Sequence, residues 1–98
     1  MAGESNLQVK IRKRFELMGI LVFKFRSPAQ RGVPDLLLIC DGKTIYMELK
    51  NPNKKGRLSA LQEVVIGEMR QHGAVVYVID SLEGAYEVAV REFNREPK

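Results

Sequence analysis

Residues 32–50 read GVPDLLLICDGKTIYMELK, and the fold turns on how this stretch is read. Asp41-Gly42 sits between the apolar run LLLIC and the alternating run KTIYMELK. An Asp-Gly pair flanked in this way is a strong short-range signal for a hairpin with a two-residue turn, because both turn positions need positive φ. Such a turn pairs Cys40 with Lys43, and counting outward from it sets Asp35 opposite Glu48. Directly opposed residues of an antiparallel pair have Cβ atoms about 4.5–5.5 Å apart, and like charges there are destabilising. Lys50 follows at the next same-face position, so it leaves the strand beside Glu48.

Two carboxylates held together in apolar surroundings need a reason, since each raises the other's pKa and burial raises it further. One resolution is a shared divalent cation, because hard cations such as Mg²⁺ take one or two carboxylates plus substrate phosphate. The other is exposure of both acids at the open end of the hairpin, each paired with a lysine or arginine. The hairpin geometry alone leaves both open.

The rest of the stretch describes the sheet around these acids. Leu36 to Cys40 is apolar at every position, which predicts cover on both sheet faces. Pro34 has no N–H to donate and belongs at the start of its strand. Ile45, Met47 and Leu49 alternate with Tyr46, Glu48 and Lys50. One face is therefore uniformly apolar, and the other passes from core to chemistry.

Pro34-Asp35 followed by Glu48-Leu49-Lys50 resembles the PD-(D/E)XK nuclease superfamily. With Gly32 before it and Arg57-Leu58-Ser59-Ala60-Leu61-Gln62 after it, the string is similar to the virus-type replication-repair nuclease (VRR-NUC) branch. The resemblance runs from about Glu4 to Val78. It implies an α/β fold with an αβββαβ core, a mixed sheet flanked by helices. It also implies a metal-dependent endodeoxyribonuclease that uses Mg²⁺ or Mn²⁺. Asp35, Glu48, Lys50 and Gln62 would be catalytic. Glu4, Asp35, Glu48 and the Leu49 carbonyl would hold metal. Stand-alone members, from phages and bacteria, are associated with homodimers and with branched DNA such as Holliday junctions. The competing reading is a non-catalytic nucleic-acid-binding module on the same fold.

Composition sets the bounds. Ninety-eight residues suffice for one domain and one core, so residues 1–98 are expected to form a single domain with a tail that frays from about 94. No apolar run reaches the roughly 18 residues needed to span a bilayer. The N-terminal MAGESNLQVK has no signal-peptide core. Cys40 is the single cysteine and is expected to pack as a small apolar residue. These features lead to the expectation of an intracellular protein, which the resemblance places in a bacterial cytoplasm. The net charge of +4 suits a polyanionic partner. Arg31, Lys54, Lys55 and Arg57 flank the acids in sequence and are the candidate DNA-backbone contacts. A solubilising loop accounts for Lys54, Lys55 and Arg57 equally well, and for Arg31 taken singly a merely solvated loop is the better reading.

Along the chain, residues 4–19 predict a helix with Leu7, Ile11, Phe15 and Met18 inward and a Ser5/Gln8 capping box. Glu4 then sits where the helix dipole favours a carboxylate. The resemblance, through the pattern formed by Glu4, Leu7 and Gln8, adds a role as a further site acid. Residues 20–26 predict a strand with Phe23 and Phe25 on one face. Gly32 predicts a tight turn or a close backbone approach. A second helix starts at Ser59 with Leu58, Leu61, Val65 and Met69 as its buried stripe. The Ser59/Gln62 capping box is a sufficient structural reason for both residues, while the resemblance also places Gln62 in the site. His72, at that helix's end, has no partner that would make it catalytic. Residues 74–79 predict a buried strand that joins the sheet by a crossover, parallel to a hairpin strand. Ser81 opens a third helix with Leu82, Tyr86, Ala89 and Phe93 inward.

Overall fold

The computed structural model describes residues 6–50 and 58–97. The elements run α1 (Asn6–Leu17), β1 (Leu21–Lys24), β2 (Leu36–Cys40), β3 (Lys43–Leu49), α2 (Ala60–Gln71), β4 (Val76–Ile79) and α3 (Leu82–Phe93). This is the expected helix, three strands, helix, strand, helix. The four strands form one mixed sheet in sequence order. β1, β2 and β3 are antiparallel neighbours, and β4 runs parallel to β3 after the α2 crossover. No helix among the described residues is long and apolar enough to cross a membrane.

The hairpin is built as its turn chemistry requires. Asp41 and Gly42 have φ of 52° and 79°, and Cys40 pairs with Lys43. Positive φ at both central positions matches the turn's twist to that of the strands. The register then runs outward to Leu36 opposite Met47, one step short of Asp35 and Glu48.

The two sheet faces are covered unequally. On one, Ile11 and Phe15 of α1, Met18 just after it, and Ala85, Val88, Ala89 and Phe93 of α3 close over Val22, Leu36, Leu38, Cys40, Ile45 and Met47. Burying aliphatic and aromatic side chains of this size contributes about 1.5–3 kcal/mol each before entropy is counted, so this face holds the fold together. Free Cys40 is buried there as a small apolar residue. Among the described residues the other face is covered by α2, through Val65 and Ile66. Leu37 and Ile39 on that face are only half-buried, so the expected cover on both sides of β2 is complete on one side only.

Three further expectations are adjusted. Leu61 is exposed and Ile66 is buried. Gln62, Val65, Ile66 and Met69 share the helical spacing of a sheet-facing stripe, and reading for apolar residues alone skips the glutamine and selects its neighbour. β1 is shorter than residues 20–26, and Phe23 and Phe25 share an exposed face while Ile20 and Val22 take the core. The tail is tied down further than expected. Asn94 caps α3 in the left-handed conformation, and both Asp41 carboxylate oxygens accept from Arg95 Nη2 at 3.0 Å. Ser5 of the α1 capping box lies outside the described residues.

Candidate active site

The site forms where β2 begins and β3 ends, on the face that α2 covers. Pro34 is fully buried and leads into β2, so Asp35 stands at the strand's mouth. The hairpin register extended by one pair places Asp35 against Glu48, and the Asp35 carboxyl and backbone N–H both act on the Glu48 carboxylate. Glu48 is 3% exposed. The two acids therefore converge as counted from the turn, and Glu48 is buried rather than displayed at an exposed hairpin end.

The electrostatics of Glu48 follow from this placement. Its pKa is pushed up to about 7, chiefly by burial, then by hydrogen bonding and charge from Asp35. Lys50 and the Asp35 backbone N–H pull it down without balancing the desolvation. Oε2 accepts from Gln62 Nε2 at 2.9 Å and lies 3.6 Å from Lys50 Nζ. Oε1 is buried and has no hydrogen bond of good geometry among the described residues. An orphaned carboxylate oxygen is costly in a dry site. The Glu48 carboxyl lies beside that of Asp35, which cannot donate to it when ionised.

Gln62 ties the cluster to α2. Ser59 caps that helix by accepting from the Gln62 N–H at 3.1 Å, and Gln62 Oε1 returns by accepting from the Ser59 N–H at 2.9 Å. The same Oε1 accepts from Lys50 Nζ at 2.7 Å. Only one orientation of the amide satisfies these partners, with oxygen to the two donors and nitrogen to Glu48. The side chain that completes the helix cap is thus also the one that contacts Glu48 and Lys50.

Gly32 brings α2 this close. Its φ is 88°, and a Cβ there would meet the Leu61 carbonyl and Val65 Cγ2, both at 3.1 Å. The loop before β2 thus passes directly under the helix that carries Gln62. Of the close approach and the tight turn anticipated for this glycine, both are realised.

The donors suit a hard cation. Asp35 offers a carboxyl, Glu48 offers the unpartnered Oε1, and the two acids match the carboxylate count of Mg²⁺ sites that also use substrate phosphate. Leu49 sends its side chain to the core, so only its carbonyl could contribute. Among the described residues no group of three His, Cys, Asp or Glu side chains converges. Glu4, Lys54, Lys55 and Arg57 lie outside the described residues. Arg31 is exposed and lines a cleft of about 380 Å³ that opens beside Asp35.

One neighbour of the site was not legible in the sequence. The Phe25 N–H donates to the Asp35 carbonyl, which extends the β1–β2 pairing and sets Phe25 opposite Asp35. The connection between these strands has no two-residue turn, so no local signal fixed their register.

No family model matches the chain. It is 39% identical over 61 residues to a protein of Acyrthosiphon pisum secondary endosymbiont phage 1 named "Putative nuclease p44". That alignment covers 61% of this chain and 61% of the relative, so the chain matches less than two thirds of the relative's length. A solved structure described as a VRR_NUC domain is similar at a TM-score of 0.74 and 28% identity, covering 89% of this chain and 92% of that one. Likeness over nearly the whole chain, and convergence of the residues whose spacing first suggested the resemblance, give this chain the fold of a VRR-NUC domain.

Proposed function

We propose that the protein is a metal-dependent endodeoxyribonuclease that hydrolyses phosphodiester bonds in DNA. The observation that carries this reading is the apposition of Asp35 and buried Glu48, whose Oε1 has no hydrogen bond of good geometry among the described residues, with Lys50 and Gln62 against its other oxygen. Asp35 and Glu48, with the Leu49 carbonyl and Glu4, would hold one or two Mg²⁺ or Mn²⁺ ions, which supply Lewis-acid polarisation of the phosphate and a more acidic bound water.

The protein's own groups have distinct tasks in this reading. Lys50, held by Gln62 Oε1, places a positive charge beside the acids, where it orients the attacking water and stabilises negative charge developing on the phosphate. Gln62 fixes Glu48 Oε2 and Lys50 Nζ relative to one another. It leaves Oε1 as the free valence of the carboxylate. Arg31, with Lys54, Lys55 and Arg57, would hold the flanking backbone by charge-assisted contacts to phosphate.

The finer reading is a homodimer acting on branched DNA such as a Holliday junction. It rests on the family resemblance and on symmetry, since a twofold dimer suits paired incisions in a symmetric junction. Supercoiled plasmid incubated with Mg²⁺ tests the activity. Nicking is expected, and it should vanish with EDTA and in Glu48→Gln. DNA binding without nicking would instead support the non-catalytic module. Four-way, flap, duplex and single-stranded substrates compared side by side, with the solution mass, test the finer reading.

A further inference from the structure

We propose that Phe25 is a stacking platform for an unpaired nucleobase adjacent to the phosphate held at Asp35 and Glu48. Within branched DNA the preferred substrate would then carry a single-stranded nucleotide beside the point of cleavage, as a flap does and a fully paired four-way junction does not. This rests on the nuclease reading above and adds to it a residue that selects unpaired over paired DNA.

The placement comes from the sheet. β1 is an edge strand whose pairing places Phe23 against Leu37 and Lys24 against Leu36. The Phe25 N–H bond to the Asp35 carbonyl continues that register. Directly paired residues project from the same face of a sheet, so the Phe25 ring leaves the sheet beside the Asp35 carboxyl. Its ring is not part of the core. Phe25 is 40% exposed, whereas Val22 on the opposite face of the same strand is 3% exposed. A large aromatic kept partly in water next to a pair of acids has a π-face available to a ligand.

The surroundings indicate which ligand. The cleft beside Asp35 has a volume of about 380 Å³, and its walls include Lys24, Phe25, Arg26, Gln30 and Arg31. That volume falls in the range of small-ligand sites, roughly 300–1,000 Å³. Three cations and an aromatic ring, with one carboxylate at the edge, complement a nucleotide: the cations take the phosphates and the ring takes the base. Protein grooves for single strands combine these two elements, and stacking there tolerates any base because every base has a π-face. In a duplex those faces are covered by neighbouring bases, so the ring discriminates by pairing state rather than by sequence.

The test compares Phe25→Ala, Phe25→Leu and Phe25→Trp with wild type on labelled single-stranded, flapped and fully duplex oligonucleotides in Mg²⁺. Binding of a single strand containing 2-aminopurine is followed by fluorescence. Phe25→Ala and Phe25→Leu should lose between about fivefold and a hundredfold in kcat/KM on substrates with an unpaired base. Duplex cleavage should stay within about twofold, and Phe25→Trp should act as wild type. Wild type should quench the 2-aminopurine signal and Phe25→Ala should not. Equal losses on every substrate, or full activity in Phe25→Leu, would overturn the proposal. A changed solution mass in Phe25→Ala would also overturn it and assign the ring to contact between copies. If wild type cuts none of the DNAs, the nuclease reading falls, while the fluorescence change still reports whether the ring stacks on a base.

Discussion

Gln62 Nε2 donates to Glu48 Oε2 across 2.9 Å, joining the first turn of α2 to the end of β3. The same side chain completes a capping box with Ser59. Gln62→Ala should therefore lose both a cap and the donor to a buried carboxylate. About 1–2 kcal/mol of stability should disappear in urea denaturation. Gln62→Glu separates the two roles, because glutamate also serves in a capping box but brings a further negative charge to Oε2. Helix stability should be largely kept, while an isotope-edited carboxyl titration should show Glu48 holding its proton to higher pH than in wild type.

The raised pKa of Glu48 makes stability depend on pH in a defined window. Below about 4.5 the group is protonated in both folded and unfolded chains; between there and about 7 the folded chain keeps a proton that the unfolded chain releases. Stability from this group should thus fall as pH rises through that window and level off above it. The drop is on the order of 3 kcal/mol at most. Denaturation in EDTA across pH 4.5 to 8 measures it, and Glu48→Gln should flatten the profile. Adding Mg²⁺ above pH 7 should raise the melting temperature of wild type and not of Glu48→Gln, since a ligand that binds only the folded state stabilises it.

Lys50→Ala should lower turnover by about 10²–10³-fold, the size of losing one preorganised electrostatic contact to a transition state. Divalent-ion binding measured by calorimetry should be largely retained, because the two acids remain. Normal turnover in Lys50→Ala would remove the lysine from the chemistry.

Gly32 and Gly42 provide a paired test of why glycine is required. Both have positive φ, but a Cβ on Gly32 meets α2 at 3.1 Å whereas one on Gly42 meets nothing within 4 Å. Gly42→Ala should cost only the left-handed backbone penalty, about 1–2 kcal/mol. Gly32→Ala should cost roughly 1–3 kcal/mol more, from overpacking against Leu61 and Val65. Thermal melts of the two variants measure the difference. Only Gly32→Ala should also lower activity, because α2 must shift and carry Gln62 with it.

The elements legible in the sequence are those set by local chemistry. Asp41-Gly42 determined the hairpin turn, and with a period of two per strand that turn carried the register out to Asp35, Glu48 and Lys50. Ser59 and Ser81 marked their helix starts because a side-chain oxygen there satisfies an otherwise orphaned N–H. What only tertiary structure decided depends on where separate elements dock. α2 turns Gln62 rather than Leu61 to the sheet, because a polar side chain with three partners in the site can occupy a position that hydrophobic periodicity assigns to its neighbour. β1 meets β2 through a long connection with no turn to fix it, so only the assembled sheet sets Phe25 beside Asp35. Burial of Glu48, and with it the elevated pKa, likewise arises only once α2 closes over that face. Desolvation belongs to the packed molecule and to no local run of residues.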